Sequence, residues 1–239
     1  MRLDGLIFDL DGTLTDTLPV ALAAFREAVR VFSGRTYTDE EIVARFGPTE
    51  EGMLQQLVPD HWEDCLQLYL RIYEREHQRT GRIFPGIEIA LGMLKARGIP
   101  LAVVTGKGPK SAAISLSQLG LASYFDFIET GSSEGSVKPQ RIQRVLTGWG
   151  ITPDKTAYLG DAVSDVEDAR SAGLIPLAAA WDKRAELKAL RSQTPAATFE
   201  TVGELTDWIA TVEPLLRRSP RPAGGRPPLD RPSQEGARH

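Results

Sequence analysis

The sequence predicts an α/β fold built on a mainly parallel sheet, with a helical segment inserted after the first strand. Short apolar runs alternate along most of the chain with longer stretches of helical spacing, which is the order expected for βαβ units covered on both faces by helices. Residues 18–83 interrupt this alternation with four helical stretches and no clear strand. At 239 residues, the chain is long enough for one such domain with a small insert.

Five apolar runs are predicted to be strands, at residues 3–10, 99–105, 124–130, 156–161 and 174–179. Four helical stretches lie between them, at residues 87–98, 109–120, 139–150 and 164–173, and a last helix is expected around the sequence DWI. Several stretches end in glycine, which tolerates the left-handed conformation at a helix C-terminus. Residues 1–17 and 84–213 are therefore predicted to form the α/β core.

Residues 18–83 are predicted to form a helical cap, and Pro85 and Gly86 mark the return to the core. The spacing of apolar residues in this segment is that of amphipathic helices. Met53, His61 and Cys65 fall inside these patterns and are interpreted as packing residues. His77 lies near a polar helix end and is expected to be solvated.

The last residues differ in composition from the rest of the chain. Residues 214–239 are rich in Pro, Gly and Arg, and from Arg217 onward six Arg stand against Asp230 and Glu235, a local net charge of +4. Such a segment buries too little apolar surface to offset its ordering entropy. It is therefore predicted to be a disordered, solvated tail.

Composition also bears on partners and location. The net charge of −4 disfavours a nucleic-acid partner, because such proteins usually carry a basic surplus. Cys65 is the only cysteine, so no intrachain disulfide is possible. No apolar run approaches the roughly 20 residues that span a bilayer, and the first strand begins too early to leave room for a signal peptide. We expect a cytoplasmic protein without a membrane partner, and its oligomeric state is left open.

Polar residues gather where the predicted strands end, in FDLDGT, VVTGK, GSSEGSVKP and YLGDAVSD. Ligands of open parallel sheets bind outside the carboxyl ends of the strands. Asp9 and Asp11 are two residues apart and can share one face, although carboxylates are rarely buried unless they are paired or bind a metal. Gly12 permits a tight turn, whose free amides can bind an anion.

The pattern around Asp161 indicates a magnesium site. Mg²⁺ prefers octahedral oxygen ligation with a few carboxylates and several waters. Asp9, Asp161 and a backbone carbonyl near Asp11 would supply such ligands, and Asp165, one helical turn after Asp161, could orient a bound water. Helix capping is the alternative role for Asp165, because Asp also caps helices.

Three further residues fit the binding of a phosphoryl group. The Thr105 hydroxyl and the Gly106 amide can each donate a hydrogen bond to a phosphoryl oxygen. Lys138, just before a helix, could offset the repulsion within a carboxylate cluster and hold an anion. Lys107 is interpreted as a solvated surface residue.

Together and in this order, DLDGTLTD, Thr105, Lys138 and GDAVSD resemble the haloacid dehalogenase-like superfamily. The resemblance covers residues 3 to about 210 and is closest to the phosphoglycolate phosphatase-like branch, with GDAVSDVEDARSAG followed by LAAAW. It implies a Rossmann-like parallel sheet core, an inserted α-helical C1-type cap and a Mg²⁺ cofactor. Two positions depart from the family pattern, since Gly106 stands where Asn or Ser is common and Ala162 where Ser or Thr is common.

The resemblance also implies a mechanism. Asp9 would attack phosphorus and form an aspartyl phosphate, and Asp11 would protonate the leaving oxygen and then accept a proton from water. Dehalogenases of the superfamily lack this second aspartate. The absence of lysine between Thr17 and Phe84 excludes the Schiff-base chemistry of phosphonoacetaldehyde hydrolases. Arg45 is a candidate for binding a substrate carboxylate.

The leading hypothesis is therefore a Mg²⁺-dependent phosphatase acting on a small organic phosphate monoester such as 2-phosphoglycolate. A phosphomutase of the β-phosphoglucomutase type and a pyrophosphatase stay open, because the same motifs serve both. A non-catalytic phosphate-binding module is a further alternative, which loss of Asp9 or Asp161 would have favoured; both residues are present.

Overall fold

A parallel sheet with its first strand near the centre organises the molecule. The computed structural model describes residues 2–213. Its strands are β1 (Gly5–Phe8), β2 (Leu101–Val104), β3 (Phe127–Glu129), β4 (Thr156–Gly160), β5 (Ile175–Ala179) and β6 (Ala197–Phe199). They form one sheet in the order β3–β2–β1–β4–β5–β6, and every neighbouring pair is parallel. The chain leaves β1 first to one side and then to the other, which opens a crevice at the carboxyl ends of β1 and β4.

Side chains of β1 alternate between two apolar layers. Leu6 and Phe8 belong to one buried cluster, while Ile7 belongs to another on the opposite face of the sheet. In register, Leu6 pairs with Leu101 on β2 and with Ala157 on β4. Because both faces of β1 are buried, its sequence is continuously apolar, as is typical of central parallel strands.

Ten helices accompany the sheet within residues 2–213: α1 (Leu18–Ser33), α2 (Asp39–Val43), α3 (Glu50–Leu57), α4 (Trp62–Thr80), α5 (Ile87–Ala96), α6 (Pro109–Gln118), α7 (Lys138–Trp149), α8 (Val163–Ser171), α9 (Leu187–Ser192) and α10 (Val202–Thr211). Helices α5, α6 and α10 contribute to the cluster on one face of the sheet, and α7 and α8 to the cluster on the other. The predicted α/β fold with a parallel sheet is confirmed.

Two elements at one side of the sheet were not predicted. Strand β6 has three residues, of which only Phe199 is fully buried, and helix α9 has six. Neither is long enough to show a periodic apolar pattern in the sequence. Pairing of β6 with β5 places it at the edge of the sheet.

Residues 18–83 contain helices α1–α4. Their buried apolar side chains form a cluster of their own, which includes Phe25, Leu54 and Tyr69. The two chain segments that join this insert to the core lie side by side, since the Asp16 amide donates to the Arg82 carbonyl over 2.8 Å. These contacts support the proposed division between a core and an inserted helical unit.

His77 is buried rather than solvated, so this prediction was wrong. The residue is 1% exposed, its Nδ1 lies 2.9 Å from Oε1 of Gln118 on α6, and its ring lies edge-on to Tyr73, with 5.3 Å between the ring centroids. Helix α4 packs against α6 of the core, and this contact could not be seen from the polar sequence around His77.

The burial of His77 predicts a loss of stability in acid. Burial lowers the pKa of His77 from its ordinary value of 6.5, so the unfolded state binds more protons below about pH 6.5 and unfolding becomes easier as the pH falls. We expect the urea midpoint of the wild type to fall more between pH 7.5 and pH 5.5 than that of His77→Gln. His61 is exposed, so its interpretation as a packing residue was wrong, and His61→Gln should behave as the wild type. Equal losses in the wild type and His77→Gln would contradict the prediction.

The predicted disordered tail, residues 214–239, lies outside the described residues. Within residues 2–213, none of the helices has both the length and the apolar character required to cross a bilayer.

Candidate active site

The predicted site residues meet in a cavity of about 540 Å³ between the carboxyl edge of the sheet and the helical insert. Strands and helices of the core supply the polar side of this cavity, because the residues that follow β1, β2 and β4 and those that begin α7 all point to one edge. The predicted residues in its lining are Asp9, Asp11, Thr105, Gly106, Lys138, Asp161 and Asp165.

Three carboxylates converge in the cavity. Asp9, Asp161 and Asp165 each offer an oxygen atom, and these atoms lie within 4.8 Å of one another. Burial raises the pKa of Asp9 to about 7, against the opposing charge of Lys138. Burial, and then the charges of Asp9 and Asp165, raise the pKa of Asp161 well above its usual range. The protein surroundings alone thus disfavour the negatively charged forms of Asp9 and Asp161.

Lys138 is the cation of this cluster. Its Nζ lies 3.2 Å from Oδ1 of Asp9 and also contacts Oδ1 of Asp165. Burial would lower the pKa of Lys138, but the charges of Asp165 and Asp9 hold it well above its usual value. Asp165 is fixed further by the Ala162 amide, which donates to its Oδ2 over 3.0 Å. Lys138 therefore bridges two of the three acids.

Glycines bring the acids close to the backbone. Gly12 has φ +83°, and a Cβ there would lie 2.2 Å from Oδ2 of Asp161. A Cβ at Gly160 would lie 2.3 Å from Oδ2 of Asp165. A side chain at either position would push a carboxylate out of the cluster, so both glycines are required by the close approach.

This donor set fits a hard divalent cation. Carboxylate oxygens are the ligands that Mg²⁺ prefers, and a cation would offset the charge that burial leaves uncompensated on Asp9 and Asp161. Asp9, Asp161 and Asp165 would hold the ion. The side chain of Asp11 lies outside this group, and a backbone carbonyl near Asp11 stays the predicted ligand.

Asp11 is held by two other residues. The Thr17 hydroxyl donates to its Oδ1, and Nζ of Lys107 lies 3.1 Å from its Oδ2. The interpretation of Lys107 as a surface residue is wrong, because its side chain is 3% exposed and its Nζ lies over the ring of Tyr73, 4.5 Å from the centroid. Two acids, Asp11 and Glu50, compensate the buried charge of Lys107.

Glu50 is a part of the site that the sequence did not reveal. It begins helix α3 of the insert, yet its carboxylate lies 3.8 Å from Nζ of Lys107 and accepts hydrogen bonds from the Gly108 amide over 2.7 Å and from the Ser111 hydroxyl over 2.6 Å. The Tyr69 hydroxyl donates to the same carboxylate. Glu50 thus joins the insert to the loop after β2, and only the fold brings residues so distant in sequence together.

Thr105 and Gly106 lie where β2 ends. The Thr105 hydroxyl is buried, lines the cavity and accepts a hydrogen bond from the Lys107 amide over 3.3 Å. A Cβ at Gly106 would meet nothing within 4 Å. The glycine is therefore not required sterically, and its lack of a side chain leaves open space in the cavity.

Arg45 is not among the residues that line the cavity. Its guanidinium donates to the Glu41 carbonyl and lies over the ring of Tyr37, 5.1 Å from the centroid. The structure thus does not bring Arg45 to the site, and its contacts give no support to a role in binding a substrate carboxylate.

A parallel sheet with a cluster of aspartates at the carboxyl ends of its strands is compatible with the hydrolysis of phosphate esters. A model of the haloacid dehalogenase-like hydrolase family matches residues 6–179, and the chain belongs to this family. The resemblance in its motifs is thereby confirmed.

Similar proteins of known sequence or structure support this family membership. A phosphoglycolate phosphatase of Neisseria meningitidis is 32% identical over 73% of this chain and 79% of its own length. A pyrophosphatase, PpaX, of Bacillus pumilus is 27% identical over 84% of this chain and 93% of its own. The crystal structure of a predicted phosphoglycolate phosphatase from Haemophilus somnus shares the fold, with a TM-score of 0.73 and 21% identity over 87% of this chain and 98% of that one. The chain is a phosphatase of the phosphoglycolate phosphatase-like branch.

Proposed function

We propose that this protein is a Mg²⁺-dependent phosphatase that hydrolyses a small organic phosphate monoester through an aspartyl phosphate. The convergence of Asp9, Asp161 and Asp165 beside Lys138 carries the proposal. Phosphoryl transfer depends mainly on positioning and on the neutralisation of charge, and this cluster supplies both. The relative from Neisseria meningitidis makes 2-phosphoglycolate the first substrate to test.

Asp9 is the proposed nucleophile. Its carboxylate attacks phosphorus in line with the ester oxygen, the ester bond breaks, and the leaving oxygen takes a proton from Asp11. Water then attacks phosphorus, Asp11 accepts its proton, and the acyl phosphate bond breaks to regenerate Asp9 and release inorganic phosphate. A bound Mg²⁺ supplies the positive charge that lets an anionic nucleophile approach an anionic phosphoryl group.

The remaining residues have positioning roles in this proposal. Thr105, Lys138 and the turn amides around Gly12 hold the phosphoryl oxygens that do not react. Lys107 and Thr17 hold the Asp11 carboxylate toward the cavity. The helical insert, residues 18–83, acts as a cap that excludes water while the leaving group departs. The cytoplasmic location stays a prediction.

The function is tested by phosphate release from a panel of monoesters with Mg²⁺. Pyrophosphate and a hexose 1-phosphate belong in the panel, because they separate the proposed function from a pyrophosphatase and from a phosphomutase. Faster formation of hexose 6-phosphate than of free phosphate would identify a mutase. No phosphate from any compound would contradict the proposal.

Removal of metal is expected to abolish turnover. Dialysis against EDTA should lower kcat by at least about 100-fold, because charge stabilisation by a bound metal contributes several kcal/mol, and added Mg²⁺ should restore it. As a readout independent of activity, Mg²⁺ should raise the thermal midpoint of the wild type but not that of Asp161→Asn, because an ion that binds only the folded state stabilises it. Full activity in EDTA, or an equal thermal shift in both proteins, would speak against this metal site.

A further inference from the structure

The cavity wall that the helical insert supplies is apolar. Its side chains include Leu18, Leu22, Phe25, Ile42, Phe46 and Met53. Phe46 is 51% exposed and is the most exposed of these side chains, so its ring is available to a group that enters the cavity from this side. Apolar surface of this kind in a cleft marks a binding site for an apolar group.

The insert wall offers no cation. Among the described residues that line the cavity, Glu50 is the only charged one that comes from residues 18–83. The lining cations of the described chain are Lys107 and Lys138, and each already contacts two acids. A second anionic group on the substrate would therefore meet Glu50 and no free positive charge, which is an unfavourable arrangement.

The size of the cavity also favours a bulky, apolar leaving group. Its volume of about 540 Å³ is in the range of about 300–1,000 Å³ that is typical of pockets for drug-sized ligands. The open space at Gly106 adds room beside the phosphoryl site. A two-carbon leaving group would leave much of the apolar wall in contact with water.

We propose that the substrate is a phosphate monoester of an uncharged, largely apolar alcohol, whose ring or branched chain packs against the insert wall. This inference rests on the phosphatase function proposed above and specifies its leaving group. It disfavours 2-phosphoglycolate and pyrophosphate, each of which carries a second anionic group where the wall has no cation to receive it.

The first experiment compares esters of primary alcohols, so that the chemistry of the leaving oxygen stays similar. Isobutyl phosphate has an uncharged branch of similar size where 2-phosphoglycolate has its carboxylate. We expect kcat/KM to rise by on the order of 100-fold from ethyl to isobutyl phosphate, since each of the two added carbons contributes roughly tenfold when it is buried, and to rise further for benzyl phosphate. We expect isobutyl phosphate to exceed 2-phosphoglycolate by about tenfold, because the carboxylate lacks a partner.

A variant tests the wall directly. Phe46→Arg places a cation at an exposed position of the wall. For 2-phosphoglycolate, the substitution should raise kcat/KM relative to isobutyl phosphate by about tenfold, as expected for a new partner of a charged group. Phe46→Leu, the matched control, should keep the order of preference of the wild type. An unchanged ratio in Phe46→Arg would count against the assignment of this wall.

The outcomes separate the two proposals. A wild-type preference for 2-phosphoglycolate or pyrophosphate, or equal rates on all esters, would overturn the inference about the leaving group and leave the phosphatase function standing. No release of phosphate from any of these compounds would overturn both.

Discussion

Asp9→Asn is expected to abolish phosphatase activity in a protein that stays folded. An amide cannot attack phosphorus, so no aspartyl phosphate forms, and kcat should fall by at least about 10³-fold, as is typical when the nucleophile of a covalent mechanism is removed. The variant should be no less stable than the wild type, because it removes one of three crowded carboxylates and burial already disfavours the charged form of Asp9. Its urea midpoint should equal or exceed that of the wild type.

A labelling experiment connects this loss to the mechanism. With a substrate labelled in the phosphoryl group and a rapid acid quench, the wild type should carry protein-bound label that hydroxylamine releases, and Asp9→Asn should carry none. Asp16→Asn, a matched substitution at a partly exposed aspartate that pairs with Arg184, should keep both the label and the activity. Undiminished turnover by Asp9→Asn would rule out the covalent scheme.

The acidic half of the site could be predicted because each residue stands at a strand end. Asp9 and Asp161 follow apolar runs, and the rule that parallel strands end at one edge brings them together without knowledge of the strand order. The structure adds that β1 and β4 are neighbours. Because β1 and β4 are neighbours, both carboxylates lie beside the crevice at which the order of the strands reverses.

The half of the site that involves the insert could not be predicted. The sequence around Lys107 indicates a surface lysine. Its partners, Asp11 and Glu50, come from separate parts of the chain, so the sequence does not show that they meet it. Apolar residues such as Phe25 and Phe46 have a spacing that fits a helix core equally well, and only the packing of the insert over the sheet edge shows that they also line the cavity. Substrate preference is therefore a property of packing rather than of any motif.

Lys138→Met is expected to be the most destabilising substitution in the site. The side chain of Lys138 is largely buried between Asp9 and Asp165, and loss of one partner of a buried ion cluster typically lowers the free energy of unfolding by about 3–5 kcal/mol. Urea unfolding at neutral pH measures this. Lys95→Met removes a lysine that pairs with Asp126 at the surface, and it should change stability by less than about 1 kcal/mol.

A double-mutant cycle shows whether the loss of stability in Lys138→Met comes from charge or from packing. If the loss in Lys138→Met comes from uncompensated acids, Asp165→Asn in the same protein should recover part of it, with a coupling energy of about 1–3 kcal/mol for groups in contact. Added Mg²⁺ should also recover stability in Lys138→Met, because a cation between Asp9 and Asp161 offsets the same charge. Additive effects of the two substitutions would mean that Lys138 stabilises the fold through packing of its chain, and the electrostatic account of the site would fail.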